Sequence, residues 1–253
     1  MSRVRLAALV GRAASRLGLW GPTPGELASV LPELVDARAV AAQMAGQRFA
    51  NAQLGRHITR HGSASLSPRV DWTGAEHLAA PAVIVLWHAG VVGAIGAALR
   101  ALELDATVLR THAPEPASHI QQVVIGRGVA ARAAALQKGV AVLRAGGRLV
   151  TVVEATPGGE RAQHSFLGRQ AHLPEGPAAL CRLGHAPLVP VTSQARGGRL
   201  AFTAHAPLVL GADPTAAYAA WFDAYYRAHP GELWPEVLVH ALRARRTRAT
   251  PCP

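Results

Sequence analysis

The sequence predicts an α/β fold in which a mainly parallel central sheet is covered by helices and preceded by an N-terminal helical layer. Three observations predict it. From Val70 onward, short apolar runs typical of buried strands alternate with segments of helical periodicity. Strands separated by helices of this length favour parallel pairing, because the helix carries the chain back to the same end of the sheet. Half of the 253 residues are apolar, so the chain can bury a sizeable core.

The first 66 residues are predicted to be helical. Apolar side chains recur at helical spacing from Val4 to Trp20, with arginines at the other positions. This pattern suits either a helix on a membrane surface or a first helix packed on the domain with solvated arginines. The stretch GPTPGE then starts a second helical region, which extends to about His61 and is followed by the loop-like HGSASLSP.

Residues 67–253 are predicted to form the α/β core, in a single domain with the N-terminal helices. The predicted strands are PAVIVLW, DATVLRTH, RLVTVVE, APLVPVTSQAR and RLAFTAHAPL, the last two in a position to form a hairpin across ARGG. The predicted helices are VVGAIGAALRAL, GVAARAAALQKGVAVLRAG, PEGPAALCRLGH and PTAAYAAWFDAYYRAHP with the segment after it. No internal repeat and no shift of composition marks a second domain.

Charge is the strongest compositional signal. The 26 Lys and Arg residues outnumber the 15 Asp and Glu residues, which gives a formal net charge of +11. Such a surface attracts anions: nucleic acid, phospholipid head groups, phosphorylated substrates or an acidic carrier protein. No zinc finger, basic zipper or RNP-like aromatic strand is present, so no nucleic-acid partner is predicted.

The sequence is that expected of a cytoplasmic protein. No apolar run reaches the roughly 20 residues that cross a bilayer, and the apolar stretch Leu6–Val10 is too short for a secretion signal. Membrane contact is therefore predicted to be peripheral at most. Two cysteines make no disulfide framework, and Cys181 is interpreted as a small buried hydrophobe.

Two ionisable residues end predicted strands in otherwise apolar surroundings. His88 follows AVIVLW, and Glu154 follows RLVTVV. Open α/β sheets place their reacting groups at the carboxyl ends of strands. An imidazole that titrates near neutrality can accept a proton from a hydroxyl or an amine. His88 and Glu154 are therefore the predicted catalytic residues, close together or lining one pocket.

The residues flanking these two positions are the predicted substrate contacts. They lie in the turn and helix start after the first strand and in the polar loop after Glu154: Trp87, Gly90, Gly93, Thr156, Gly158 and Arg161.

Other chemistries are disfavoured by their motifs. His57 and His61 stand four apart on a predicted helix, but no third ligand or H-E-x-x-H glutamate accompanies them, so no metal site is predicted. No G-x-S-x-G elbow is present, which disfavours a serine hydrolase. The spacing of G-A-I-G after His88 fits neither the dinucleotide nor the P-loop pattern, so no cofactor is predicted.

Several motifs together resemble one family. HAGVVG is similar to a His–four residues–acid motif, and ALQKGVAVLRAGG is similar to the helix that follows it. Two later blocks of the same family are similar to VVEATPGGERAQHSFLGRQAHLPEGPAALCRLGHAPLVPV and to YRAHPGELWPEVL. Over roughly residues 25–245, the chain resembles the lysophospholipid acyltransferase superfamily, and within it the lipid A biosynthesis (lauroyl/myristoyl) branch.

This resemblance implies a biosynthetic acyltransferase in which His88 deprotonates an acceptor hydroxyl that attacks an acyl thioester. It also implies an acidic acyl or amino carrier protein as donor and a small biosynthetic intermediate as acceptor. One departure matters: the family's orienting acid, five residues after the histidine, is Gly93 here. Three explanations stay open: Glu154 supplies the carboxylate, the scaffold runs another reaction of specialised metabolism such as ring closure by intramolecular displacement, or the chain is a non-catalytic partner subunit of an enzyme.

Overall fold

The structure is a computed structural model that describes residues 23–30, 36–111, 120–126, 128–153, 161–167 and 169–234. The predicted first helix, between Val4 and Trp20, lies outside the described residues. No helix among the described ranges is both long and apolar enough to cross a membrane.

In the part of the chain that the structure describes, two α-helices precede the sheet: α1 (Pro24–Val30) and α2 (Ala37–His61). Asp36 caps α2, since its carboxylate accepts hydrogen bonds from the backbone N–H groups of residues 38 and 39. The helix ends at Gly62, where φ is +74°. The following Ser63–Arg69 was expected as a loop and is a 3-10 helix, which stays close to the end of α2.

A seven-stranded sheet forms the core, in the order β1-β9-β8-β2-β5-β3-β4. Five of its six pairings are parallel, and the β8–β9 hairpin is antiparallel. The predicted α/β class with a mainly parallel sheet is confirmed, and so is the hairpin across ARGG. The strands are β1 (Val70–Thr73), β2 (Val83–Leu86), β3 (Ala106–Arg110), β4 (Gln121–Val124), β5 (Arg148–Val152), β8 (Leu188–Arg196) and β9 (Arg199–Ala204).

Four strands were not predicted. Both edge strands lack the apolar run that identified the central strands. β1 alternates between partly and fully exposed residues, and β4 buries only one of its four side chains. The region after residue 160 was expected as a loop. It forms a separate antiparallel pair, β6 (Arg161–Phe166) and β7 (Arg169–Pro174).

Helices cover the two faces of the sheet, at the positions that the periodicity predicts: α3 (Ile95–Ala101), α4 (Val129–Arg144), α5 (Gly176–Gly184) and α6 (Pro214–Ala228). Successive residues of β2 alternate between two apolar clusters, as the pleat of a strand requires. Val83 and Val85 join the cluster that contains α6, whereas Ile84 and Leu86 join the cluster that contains α3. Because β2 is buried on both faces, the residues that follow it lie at the carboxyl edge of a sheet covered on both sides.

Candidate functional site

His88 lies two residues beyond the end of β2, at the carboxyl edge of the parallel strands. Trp87 before it is buried and Ala89 after it is buried, whereas His88 itself is partly exposed. The position follows from the sheet. β8 pairs with β2 only as far as Pro190 and then continues to Arg196, so β2 leaves a notch beside the second half of β8. The turn that carries His88 fills this notch.

Gly90 lets the turn approach β8 closely. Its φ is +54°, and a Cβ atom added there would lie 1.6 Å from the carbonyl oxygen of Ser193. Ser193 in turn binds the turn through its hydroxyl, which accepts from the backbone N–H of Val91 at 3.1 Å and donates to the carbonyl of Ala89 at 3.5 Å. Gly90 was predicted to contact substrate, and the structure gives it a role in backbone packing.

A segment from the far end of the described chain closes the other side of the turn. Leu233 pairs with Ala89 in an isolated antiparallel bridge. The N–H of Gly90 donates to the carbonyl of Glu232 at 2.8 Å, and the N–H of Trp234 donates to the carbonyl of His88 at 3.0 Å. The backbone of His88 is thus held from both sides.

Trp234 also contacts the turn through its side chain. Its indole Nε1–H donates to the carbonyl of Gly90 at 3.0 Å, and its ring lies 5.1 Å from the imidazole of His88, centroid to centroid. The guanidinium of Arg48 from α2 also contacts this ring, 4.9 Å from the centre of the indole. His88 therefore stands against a fixed aromatic surface.

Glu232 is the buried acid of this region, with 2% of its surface exposed. Its carboxylate accepts hydrogen bonds from the side-chain amide of Gln194 and, at 2.9 Å, from the hydroxyl of Tyr225. Nδ1 of His229 lies 4.0 Å from the same carboxylate. Burial raises the pKa of Glu232 to about 7, although the bond from Tyr225 and the charge of Arg196 act against the rise.

Helix α2 crosses the site and reaches Gly93. A Cβ atom added at Gly93 would meet only the side-chain oxygen of Asn51, at an ordinary contact distance of 3.5 Å. Gly93 is exposed, and its backbone does not adopt a left-handed conformation. Position 93, where the resemblance places an acid, is therefore open to a side chain.

Trp87 lies on the opposite face of the sheet from the α3 cluster. Its ring stacks on Phe166 at 4.4 Å and meets Phe222 and Tyr226 at 5.2 Å and 6.2 Å. Only 3% of the residue is exposed, and within the described part of the chain its indole nitrogen has no hydrogen-bond partner. This placement makes Trp87 a core residue and disfavours the predicted contact with substrate.

The second half of the predicted site is described only in part. Glu154, Thr156 and Gly158 lie outside the described residues, and Arg161 is described only as the first backbone position of β6. The chain up to that point is placed: the N–H of Val153 donates to the carbonyl of Leu86 at 3.0 Å. The proximity of Glu154 to His88 stays a prediction.

Two further groups bear on the chemistry. Cys181 is buried, as the sequence predicted, and burial raises the pKa of its thiol to about 12, which keeps it protonated and unreactive. His57 lies 4.8 Å from His61, ring to ring, and its Nε2 is 2.9 Å from the hydroxyl of Ser65. Over the described ranges, no cluster of three or more His, Cys, Asp or Glu residues is placed to bind a metal ion.

The sequence did not assign a role to Ser193, Glu232 or Trp234. Ser193 had a weak signal, as a polar residue in the apolar strand LVPVTSQ. Glu232 and Trp234 lie in HPGELW, where an acid follows a glycine within an aromatic-rich stretch. Neither feature points to His88, which is 144 residues before Glu232 in the chain.

No protein-family model matches the chain, and no curated protein sequence matches it significantly. Among solved structures it is similar to the 1-acyl-sn-glycerophosphate (LPA) acyltransferase PlsC from Thermotoga maritima, with 12% sequence identity and a TM-score of 0.38. The match covers 99% of this chain and 98% of the other. Similarity this low carries no argument about function.

Proposed function

We propose that this chain is an acyltransferase-like biosynthetic enzyme in which His88 acts as the general base on a carrier-protein-bound substrate. One observation carries the proposal: a partly exposed imidazole stands at the carboxyl edge of a parallel sheet, on a turn fixed by hydrogen bonds from β8 and from residues 232–234. General bases require this kind of fixed placement, because proton transfer depends on distance and direction.

In the proposed reaction, neutral His88 takes the proton of the acceptor hydroxyl or amine as the acceptor attacks the carbonyl carbon of the acyl thioester. The new bond to oxygen or nitrogen forms, the C–S bond breaks, and the thiolate of the carrier leaves. The proton on His88 then passes to this thiolate, which returns the imidazole to its neutral form. Glu154 is proposed as the acid that orients the imidazole.

The proposed partner is an acidic carrier protein, and α2 supplies a suitable surface. The helix contains no Asp or Glu between Ala37 and His61, and it exposes Arg38, Arg56 and Arg60. Because Arg48 of the same helix contacts Trp234 beside His88, a carrier bound along α2 would bring its thioester arm to the site. Opposite charge on the two proteins favours their encounter.

We expect the double change Arg56→Glu and Arg60→Glu to raise the KM for an acyl-loaded acidic carrier protein by about tenfold, because it removes attraction and adds repulsion. The value of kcat should stay within about twofold. The measurement is intact-mass spectrometry of the carrier over time at several carrier concentrations. Arg182→Glu, on the exposed face of α5, is the matched control and should leave KM unchanged. An unchanged KM in the double variant would place the carrier elsewhere.

A second function is favoured by the exposed glycine at position 93. Without an acid there, the same scaffold suits a reaction in which His88 removes a proton from an internal nucleophile of the bound intermediate. That nucleophile then forms a bond to carbon within the same molecule, and a leaving group departs with its electron pair. This is ring closure by intramolecular displacement.

Gly93→Asp separates the two reactions. The position accepts a side chain, so the variant should fold, as circular dichroism would verify. For acyl transfer, the restored acid should maintain or raise turnover, because a carboxylate stabilises the protonated imidazole that forms. For ring closure, the same change should lower turnover about tenfold or more, because an added anion favours the protonated imidazole at rest and fills space left to substrate. Mass spectrometry of the products of wild type and variant decides between them.

A further inference from the structure

The buried carboxylate of Glu232 is hydrogen-bonded to two different elements of the fold. Gln194 reaches it from β8, and Tyr225 reaches it from α6. The side-chain oxygen of Gln194 already accepts a hydrogen bond from Nε of Arg196, and this bond would be lost if the amide turned around. Both donors therefore point their hydrogens at the carboxylate, an arrangement suited to the ionised acid.

The backbone of the same residue holds the turn that carries His88. The carbonyl of Glu232 accepts from Gly90, and two residues later Trp234 binds the backbone of His88 and Gly90. The Glu232 side chain thus anchors a three-residue segment whose backbone and indole fix the imidazole.

We propose that Glu232 is a positioning residue for His88: its ionised carboxylate pins residues 232–234 against the His88 turn, and its protonation loosens that hold. This inference rests on the proposed function, in which His88 is the reacting group.

Protonation changes the hydrogen bonding in a defined way. A protonated Glu232 must donate one hydrogen, but both of its partners already donate to it. Since Gln194 is fixed by Arg196, Tyr225 has to accept and to turn its own hydrogen toward Thr192, whose hydroxyl is its other partner. Oγ1 of Thr192 lies 3.0 Å from Nε2 of His205, so the change extends to the residue that follows β9.

Several charged or titratable groups surround Glu232 and the segment that it anchors. The groups that face this region from β8, α6, α2 and the following turn are Arg196, Tyr225, Arg48, His229 and His88. Burial raises the pKa of Glu232 to about 7, so both of its forms are present near neutral pH.

The test compares wild type with Glu232→Gln by NMR at about pH 5 and about pH 8.5, on either side of the carboxyl titration. Glutamine is neutral at both values. The reporters are the Gly90 amide and the Trp234 indole N–H, the latter assigned with Trp234→Phe. Glu103→Gln is the matched control, because it removes an exposed carboxylate before β3, at the opposite edge of the sheet.

We expect the two reporter signals of Glu232→Gln to coincide with wild type at the lower pH and to differ from it at the higher pH. Signals that differ equally at both values would show a purely structural defect, and signals that coincide at both would show no coupling; either result overturns the proposal. If Glu232→Gln does not fold, wild type alone decides. Its Gly90 and Trp234 signals must then titrate with the midpoint of the Glu232 carboxyl carbon, and a different midpoint overturns the proposal.

Enzyme kinetics provide a second test of the positioning role of Glu232. We expect Glu232→Gln to match the wild-type kcat within about twofold at the lower pH and to lose about tenfold at the higher pH, with KM little changed. Full activity of His88→Ala would refute the proposed function and leave the NMR result unaffected, so the two failures are distinguishable.

Discussion

Gly90→Ala is expected to destabilise the protein by about 4 kcal/mol or to prevent folding, because two penalties combine at one position. A left-handed φ such as the +54° of Gly90 costs a residue with a side chain about 1–2 kcal/mol. The larger penalty is the added methyl group, which would lie 1.6 Å from the carbonyl oxygen of Ser193. The turn would have to move away from β8 and lose the hydrogen bond from the N–H of Val91 to the hydroxyl of Ser193. Denaturant unfolding measures the effect.

Gly93→Ala is the matched control for this prediction. It adds the same methyl group three residues later, at an exposed position without a left-handed φ and with an ordinary contact to Asn51. Its free energy of unfolding should stay within about 0.5 kcal/mol of wild type. Equal stability of the two variants would show that the turn does not press on β8 as described.

Glu232→Gln is expected to gain stability relative to wild type as the pH rises, by about 3 kcal/mol between pH 4.5 and pH 7. The sign follows from proton uptake. Burial raises the pKa of Glu232 from 4.5 in the unfolded chain to about 7 in the folded one, so the folded state binds more protons within this window. The stability that this acid contributes is complete below pH 4.5 and is lost as the pH rises through about 7, because burial destabilises the carboxylate by more than its hydrogen bonds stabilise it.

Comparing the two proteins at each pH isolates Glu232, because every other residue is the same in both. The measurement is the free energy of unfolding in urea at several pH values from about 4 to about 8.5. A difference between wild type and Glu232→Gln that does not change with pH would mean that Glu232 titrates normally and is not held in a dry environment.

The sequence was sufficient for the central part of the fold. Strands β2, β5 and β8 are buried on both faces and read as apolar runs, and the ARGG turn placed the hairpin. The edge strands β1 and β4 were missed because half-exposed strands of four residues have no comparable pattern. The β6–β7 pair was missed because RAQHSF and RQAHLP contain no apolar run that would indicate a buried strand.

The candidate site could be predicted only where it depends on local sequence. His88 was recognised because an ionisable residue at the end of an apolar strand is conspicuous. The contacts that hold it come from Ser193, Glu232 and Trp234, which lie more than 100 residues away along the chain. Such proximity is set by how far β8 runs beyond β2 and by where the chain returns after α6, and neither is encoded in a local pattern.

The most direct test of the central claim is turnover by wild type, His88→Ala and Glu154→Gln in one assay. The proteins are incubated with an acyl-loaded acidic carrier protein and with hydroxyl and amine acceptors, and carrier and products are followed by mass spectrometry. His88 is partly exposed at a strand end, so His88→Ala should keep the wild-type circular dichroism spectrum. We expect His88→Ala to lose 10²- to 10⁴-fold, roughly the contribution of a general base. Full activity in both His88→Ala and Glu154→Gln would contradict every catalytic role proposed for this site and would favour a non-catalytic partner subunit.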